Sequence, residues 1–374
     1  MNHKYDKYIE KKSIHGQWTP YKLPKKRKFD FIISIPCYDE YNYIFKTLES
    51  INNQDEEFLK KTLVSVVINN SIEESQKIVI NNNNTFKKIL GSKYDYELIV
   101  IDAFSIDNAL NEKDAGVGMA RKISVDIALK WSHTNSIICF IDADTKLEKN
   151  YLQTIYSSYM HDQWEAATVN FKHAKDEPKT IEFIENYEKF LKETAMKLKK
   201  SSSPYSYIPL GSTMICTQGG YISVGGMNRR KAAEDFYFLQ ELQKNVRIFR
   251  IHDILVYPSS RYLNRSYLGT STRLKKCLDG NLDINSLYYS SKAFKILSQW
   301  INTALKSKDK PYSLILEECR SIDPNLPDLL LELNFQKAWN GIINAPSYNH
   351  FKEQFHRWFD AFKTFKLLKY YSFD

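Results

Sequence analysis

The sequence predicts an α/β fold, a mostly parallel sheet flanked by helices with a helical C-terminal extension. Three observations carry that prediction. Four short β-rich runs, FIISIP from Phe31, LVSVVIN, YELIVID and SIICFID, alternate with stretches of helical period such as Tyr43 to Ile51 and Met119 to Leu129. Such alternation implies parallel strands covered on both faces. Each run also ends in polar or turn-forming residues: Pro36 with Tyr38 and Glu40, Asn69 with Asn70, Asp102, and Asp142 with Asp144. Ligands of open α/β sheets sit beyond the carboxyl ends of the strands, so these groups are expected to converge on one crevice. After about residue 275 the strand signal stops and helical period takes over.

The elements follow in order. Residues 1–28, ending in KLPKKRK, are polar and basic and read as an N-terminal arm rather than a core element. Residues 29–275 form the α/β domain. Within it, the Asn/Lys-rich segment IVINNNNTFKKILGSK reads as a helix and loop insertion with little chemistry of its own. Residues 276–374 form the helical extension. There, Phe351, Phe355, Trp358, Phe359, Phe362 and Leu367 mark one helical stripe. The plainer reading is a terminal helix packed on the body; the sharper one is a basic amphipathic surface in peripheral contact with the inner face of a membrane.

Composition narrows the class. With 374 residues, 43% of them hydrophobic and 14% aromatic, the chain can bury one large core and an appended unit. It has no apolar stretch near the roughly 20 residues of a membrane span, and its start, MNHKYDKYIEKK, has no signal-peptide core, so the cytoplasm is the expected compartment. The cysteines at 37, 139, 216, 277 and 319 are far apart, which suggests buried thiols rather than a zinc site or a disulfide framework. The net charge of +9 favours an anionic partner without choosing among substrate, lipid and nucleic acid. The basic residues are spread along the chain and no nucleic-acid-binding motif is visible, so no nucleic acid is expected.

Four stretches hold residues suited to chemistry. In FIDADT, Asp142 and Asp144 would share one face of an extended strand, and two like charges so placed call for a cation between them. Carboxylates without neighbouring Cys or His suit Mg²⁺ or Mn²⁺, held together with phosphate oxygens. A DxD alone also reads as a solvated turn; its place after the fourth strand favours the metal. AGVGMARKISVDIALKW is no dinucleotide fingerprint, but its Gly turn opens a helix whose Arg121 can meet a phosphate or a base edge. In GSTMICTQGGYISVGGMNRRKAAEDFYFLQELQK, Gly225 and Gly226 allow close approach of backbone to a ligand, and Glu234 and Asp235 open a helix, where acids also simply complement the helix dipole. In PSSRYLNRSYLGTSTR, Arg261, Arg265 and Arg273 lie among hydroxyl residues and either grip phosphates or form a solvated basic loop.

Taken in order, IPCYDE, VVINNS, GVGMARKISVDIAL, FIDADT and VGGMNRRKAAEDFYFLQEL resemble the family 2 glycosyltransferases with the GT-A fold, over about Phe31 to Arg273. With PSSR, the GTS-type stretch and the helical tail, the chain is similar to a bacterial subgroup. The resemblance implies a hexosyltransferase-like enzyme with a nucleotide-diphosphate-sugar donor, a divalent Mg²⁺ or Mn²⁺ and, usually, inversion. The acceptor would be a hydroxyl on a glycan, a lipid-linked molecule or a protein, in cell-surface glycan or polysaccharide biosynthesis. It implies that Pro36, Tyr38, Glu40 and Asn69 line the nucleoside pocket, with Asp102 and Arg121 close by. Asp142 would lie near the ribose or the metal, and Asp144 would bind the metal. Gly225, Gly226, Arg261 and Arg273 would complete the donor site. Asp235, with Glu234 beside it, would be the general base. Where Asn69 stands, many relatives have Asp.

The implied chemistry is coherent. A metal stabilises charge on the departing diphosphate, Arg261 or Arg273 assists it, and a carboxylate on the opposite face of the sugar takes the acceptor proton. Two other classes compete. A sugar-1-phosphate nucleotidyltransferase would need a Gly-rich basic loop after the first strand, which IPCYDEYNY lacks, and a basic nucleic-acid-binding protein would use the net charge.

Overall fold

The computed structural model describes residues 3–14, 16–261 and 270–373. The chain divides into two compact units, Met1–Ile184 with Pro209–Asp279, and Glu185–Ile208 with Gly280–Asp374.

The first unit is an α/β unit around a nine-stranded sheet. The four β-rich runs are strands β2 (Phe31–Cys37), β3 (Thr62–Asn69), β4 (Glu97–Ala103) and β5 (Ile137–Phe140). They pair in parallel in the order β4-β3-β2-β5, with Ile33 opposite both Val64 and Cys139. Every residue of β3 is buried, as a strand covered on both faces requires. The helix Val117–Ala128 packs along β2 and β3 and is buried almost throughout. Ser65 and Ser124 exchange hydroxyl-to-carbonyl hydrogen bonds of 3.1 and 3.0 Å at that contact, so neither buried polar group is left unpaired.

Both edges of the sheet are extended. The short β1 (Pro20–Tyr21) lies antiparallel to β4. Beyond β5 come β8 (Met214–Thr217), β7 (Ala166–Phe171), β9 (Phe249–Tyr257) and β6 (Lys146–Leu147). Here β8 is antiparallel to both β5 and β7, β9 is parallel to β7, and β6 is antiparallel to β9. The N-terminal residues are more than a polar arm. They form the helix His3–Lys11 and strand β1, and Tyr8 is buried with its hydroxyl 2.6 Å from Asp126 Oδ1.

The second unit is helical. Its core surrounds Trp300 on the helix Ser291–Leu305, with Phe335, Trp339, Phe351, Phe355 and Phe359 packed about it. The aromatic tail forms two helices, Tyr348–Trp358 and Ala361–Phe373. They are separate because Asp360 breaks the run and caps the second helix, its Oδ1 accepting the Lys363 N–H at 3.2 Å. Phe351, Phe355, Phe359 and Leu367 are buried in this unit's own core, Trp358 packs against that core partly buried, and Phe362 is exposed. No described helix is long and apolar enough to cross a membrane. Four of the five cysteines, all but Cys277, are buried.

Candidate active site

Strand β5 ends at Phe140, one residue before the apolar run does, and Asp142 to Thr145 form a turn closed by the Thr145 N–H on the Asp142 carbonyl at 3.1 Å. The two carboxylates therefore do not sit together on one strand face: each meets a different arginine. Asp142 pairs with Arg121 through Oδ1 and accepts the Ser212 hydroxyl at 2.7 Å through Oδ2. Asp144 accepts Arg261 Nε at 2.8 Å.

Arg121 is 1% exposed and also pairs with Glu234. It fits only because residue 211 is glycine; a Cβ there would lie 2.2 Å from Arg121 Nη2. Burial alone would favour a neutral guanidine, but Asp142, Glu234 and Asp235 outweigh it and hold the Arg121 pKa above its ordinary value. Across from it, burial and the charge of Asp235 push Glu234 up to about 7, with Arg121 pulling the other way. Burial also raises Asp235, again against Arg121. Glu234 and Asp235 open the helix Glu234–Asn245, and the residue before them, Ala233, has left-handed backbone at φ 58°. Asp235 Oδ1 accepts the Phe236 N–H at 2.7 Å, and Asn228 Nδ2 holds the Glu234 carbonyl at 2.8 Å. The glycines of GVGMAR serve this loop rather than a phosphate. A Cβ on Gly116 would meet Lys231 Cα at 2.5 Å, and one on Gly118 the Arg230 and Asn228 carbonyls at 2.5 and 2.6 Å.

Arg261 joins the second acid pair. Its Nη2 reaches Glu40 while Nε holds Asp144, and the guanidinium stacks 3.8 Å over the Tyr43 ring. The main-chain carbonyl of Glu40 accepts the N–H groups of Tyr43 and Ile44, each at 3.0 Å, and so opens the helix Ile44–Asn52. Arg273 lies on the helix Thr270–Leu278, and Arg265 is outside the described residues.

The remaining sequence candidates lie at the carboxyl ends of β2, β3 and β4. Pro36 is in β2, and Tyr38 follows it with its hydroxyl 2.7 Å from Glu74 Oε2. Asn69 ends β3 and is 5% exposed. Asp102 is engaged in its own loop. Its Oδ1 accepts the Phe104 and Ser105 N–H groups at 3.0 Å each, and its Oδ2 accepts Ser105 Oγ and Asn108 Nδ2 at 2.7 and 3.2 Å. Gly225 and Gly226, at φ 80° and 76°, form a left-handed turn. What Gly226 admits is Tyr8, where the sequence suggested a ligand: a Cβ at 226 would lie 2.1 Å from the Tyr8 hydroxyl. Sequence reasoning missed Tyr8, Gly211, Ser212 and Asn82. Asn82 comes from the segment taken to hold little chemistry, and it is fully buried among the strand ends.

The donor set fits a divalent cation on electrostatic grounds. Five carboxylates, Glu40, Asp142, Asp144, Glu234 and Asp235, share two guanidinium groups, Arg121 and Arg261. This excess of negative charge would repel a diphosphate unless a cation joined it, and Mg²⁺ typically takes one or two protein carboxylates with phosphate oxygens. Among the described residues, no group of three or more His, Cys, Asp or Glu side chains gathers in metal-binding geometry.

No protein-family model matches the chain and no curated protein matches its sequence. Among solved structures it is similar to residues 1–349 of TarS from S. aureus in complex with UDP-GlcNAc. The two are 15% identical with a TM-score of 0.45, over 88% of this chain and 91% of that one. It is also similar to the mannosyltransferase PcManGT from Pyrobaculum calidifontis in complex with GDP-Man and Mn²⁺. There the identity is 12% and the TM-score 0.40, over 95% of this chain and 93% of that one.

Proposed function

We propose that the chain is a metal-dependent, inverting glycosyltransferase of the family 2, GT-A type, moving a sugar from a nucleotide-diphosphate-sugar to a hydroxyl acceptor. One observation carries the reading. At the carboxyl edge of the parallel strands, Arg121 joins a strand-end acid, Asp142, to the acid pair Glu234 and Asp235. Acids suited to a leaving group and acids suited to a proton acceptor are thus held by one buried cation.

Asp142 and Asp144 would hold Mg²⁺ or Mn²⁺, which supplies Lewis-acid stabilisation of the departing diphosphate. Arg261, on Asp144 and Glu40, adds a cation to that side. Asp235 is the general base. Its Oδ1 is occupied by the Phe236 N–H, so Oδ2 takes the acceptor proton as the new C–O bond forms and the bond to the diphosphate breaks. Its raised pKa brings it nearer to neutrality, where proton removal is more effective. Glu234, tied to Arg121, orients the pair and does not receive the proton. The nucleotidyltransferase alternative is disfavoured because the turn after β2 offers the Glu40 carboxylate, already on Arg261, where that chemistry needs a cationic phosphate loop.

Replacing Asp235 with Asn tests the assignment. Metal-dependent donor binding should stay within about threefold, while transfer falls by about 10²–10⁴. Full transfer by Asp235→Asn would sink the base assignment.

A further inference from the structure

We propose that Asn82 is a positioning residue that sets the nucleoside end of the donor pocket; the inference rests on the donor reading above. Asn82 lies on the helix Gln76–Gly91 and is 0% exposed. Its Oδ1 accepts the Asp39 N–H at 2.9 Å, and its Nδ2 donates to the Asn69 carbonyl at 3.3 Å and to Asn70 Oδ1 at 2.9 Å. The Asn70 Nδ2 in turn donates to the Ser71 and Phe104 carbonyls at 2.9 and 3.1 Å. Two carboxamides thus tie together the segments that leave β2, β3 and β4.

What a carboxamide adds is register, because Asp39 is held at a left-handed φ of 58° between Tyr38 and Glu40, and Asn69 is held through its main chain. The Asn69 side chain is left over. It is 5% exposed, and its carboxamide has no hydrogen-bond partner among the described residues. A nearly buried amide at a sheet edge offers one donor and one acceptor side by side, the pattern that pairs with a base edge. On the donor reading, this end of the pocket takes the nucleoside through Asn69, and Asn82 sets its register.

The test is calorimetric titration of the full chain with nucleoside diphosphates and, separately, with pyrophosphate plus Mn²⁺. The wild-type protein is expected to bind at least one nucleoside diphosphate. Asn82→Ala should weaken that binding at least tenfold and leave pyrophosphate binding within twofold. Asn69→Ala should give a similar loss, and the double variant no more than the larger single one, because the two act through one contact. Should Asn82→Ala not fold, Asn82→Ser, which keeps a polar group at the site, is read by the same comparison. Unchanged nucleotide binding in the Asn82 variant, equal loss of pyrophosphate, or additive losses would overturn the inference while leaving the donor reading intact. A wild-type protein that binds no nucleotide overturns both.

Discussion

Replacing Arg121 with Met removes the guanidinium facing Asp142 and Glu234 while keeping most of the buried volume. The two acids respond differently. Asp142, 36% exposed at its side chain, can rehydrate, whereas Glu234, 7% exposed, must stay charged without a partner or take up a proton. The folded-state pKa of Glu234 is about 7, against an ordinary 4.5, so its cost to folding grows from pH 4.5 to pH 7 and is constant above that. Removing Arg121 raises that pKa further, and the added penalty therefore appears only as pH rises past 7. The expected loss is about 2 kcal/mol at pH 8 and about 1 kcal/mol at pH 5.5, below the 3–5 kcal/mol typical of breaking a buried pair because protonation limits it. Urea unfolding at the two pH values, read by hydrogen exchange in peptides from β2 to β5, gives the comparison without assuming that both units unfold together. A loss of equal size at both pH values, or one larger at pH 5.5, would refute the reasoning. For the same reason Glu234→Gln should flatten the wild-type fall in stability between pH 4.5 and 7, a span worth about 3 kcal/mol.

Three further outcomes follow from Tyr8 and the loop that leads to the acid pair. Tyr8→Phe removes one of the donors on Asp126, which also accepts Tyr221 at 3.0 Å and the Ile14 N–H at 2.7 Å, and should cost about 1–3 kcal/mol. Gly226→Ala should cost more in the wild-type background than in Tyr8→Phe, because the hydroxyl that its Cβ meets is gone; chemical denaturation of the four proteins measures this coupling. Ala233→Val places a β-branched residue in left-handed backbone and should lose about 2 kcal/mol, while Ala233→Gly stays within about 0.5 kcal/mol of wild type.

What could be read from the sequence depended on how much of each element is buried. The strands β2 to β5 stood out because nearly all their residues are apolar and covered. Strand β9 did not, since FRIHDILVY mixes exposed His252 and Asp253 with its buried residues. The helix His3–Lys11 shows one fully buried residue, Tyr8, and so resembles a solvated segment until Asp126 and Gly226 are brought next to it. The acids were legible by their order along the chain. Their partners were not: the split of Asp142 and Asp144 between two arginines depends on where β5 ends. Asn82 was hidden in a run of four asparagines, of which it is the only one fully buried.

The central claim is nucleotide-sugar glycosyl transfer, and a screen of nucleotide sugars with Mn²⁺ or Mg²⁺, with and without EDTA, tests it most directly. The account predicts donor hydrolysis or transfer from at least one nucleotide sugar, abolished by EDTA, restored by added metal and absent in Asp144→Ala. A protein that neither binds nor turns over any nucleotide sugar with either metal contradicts it.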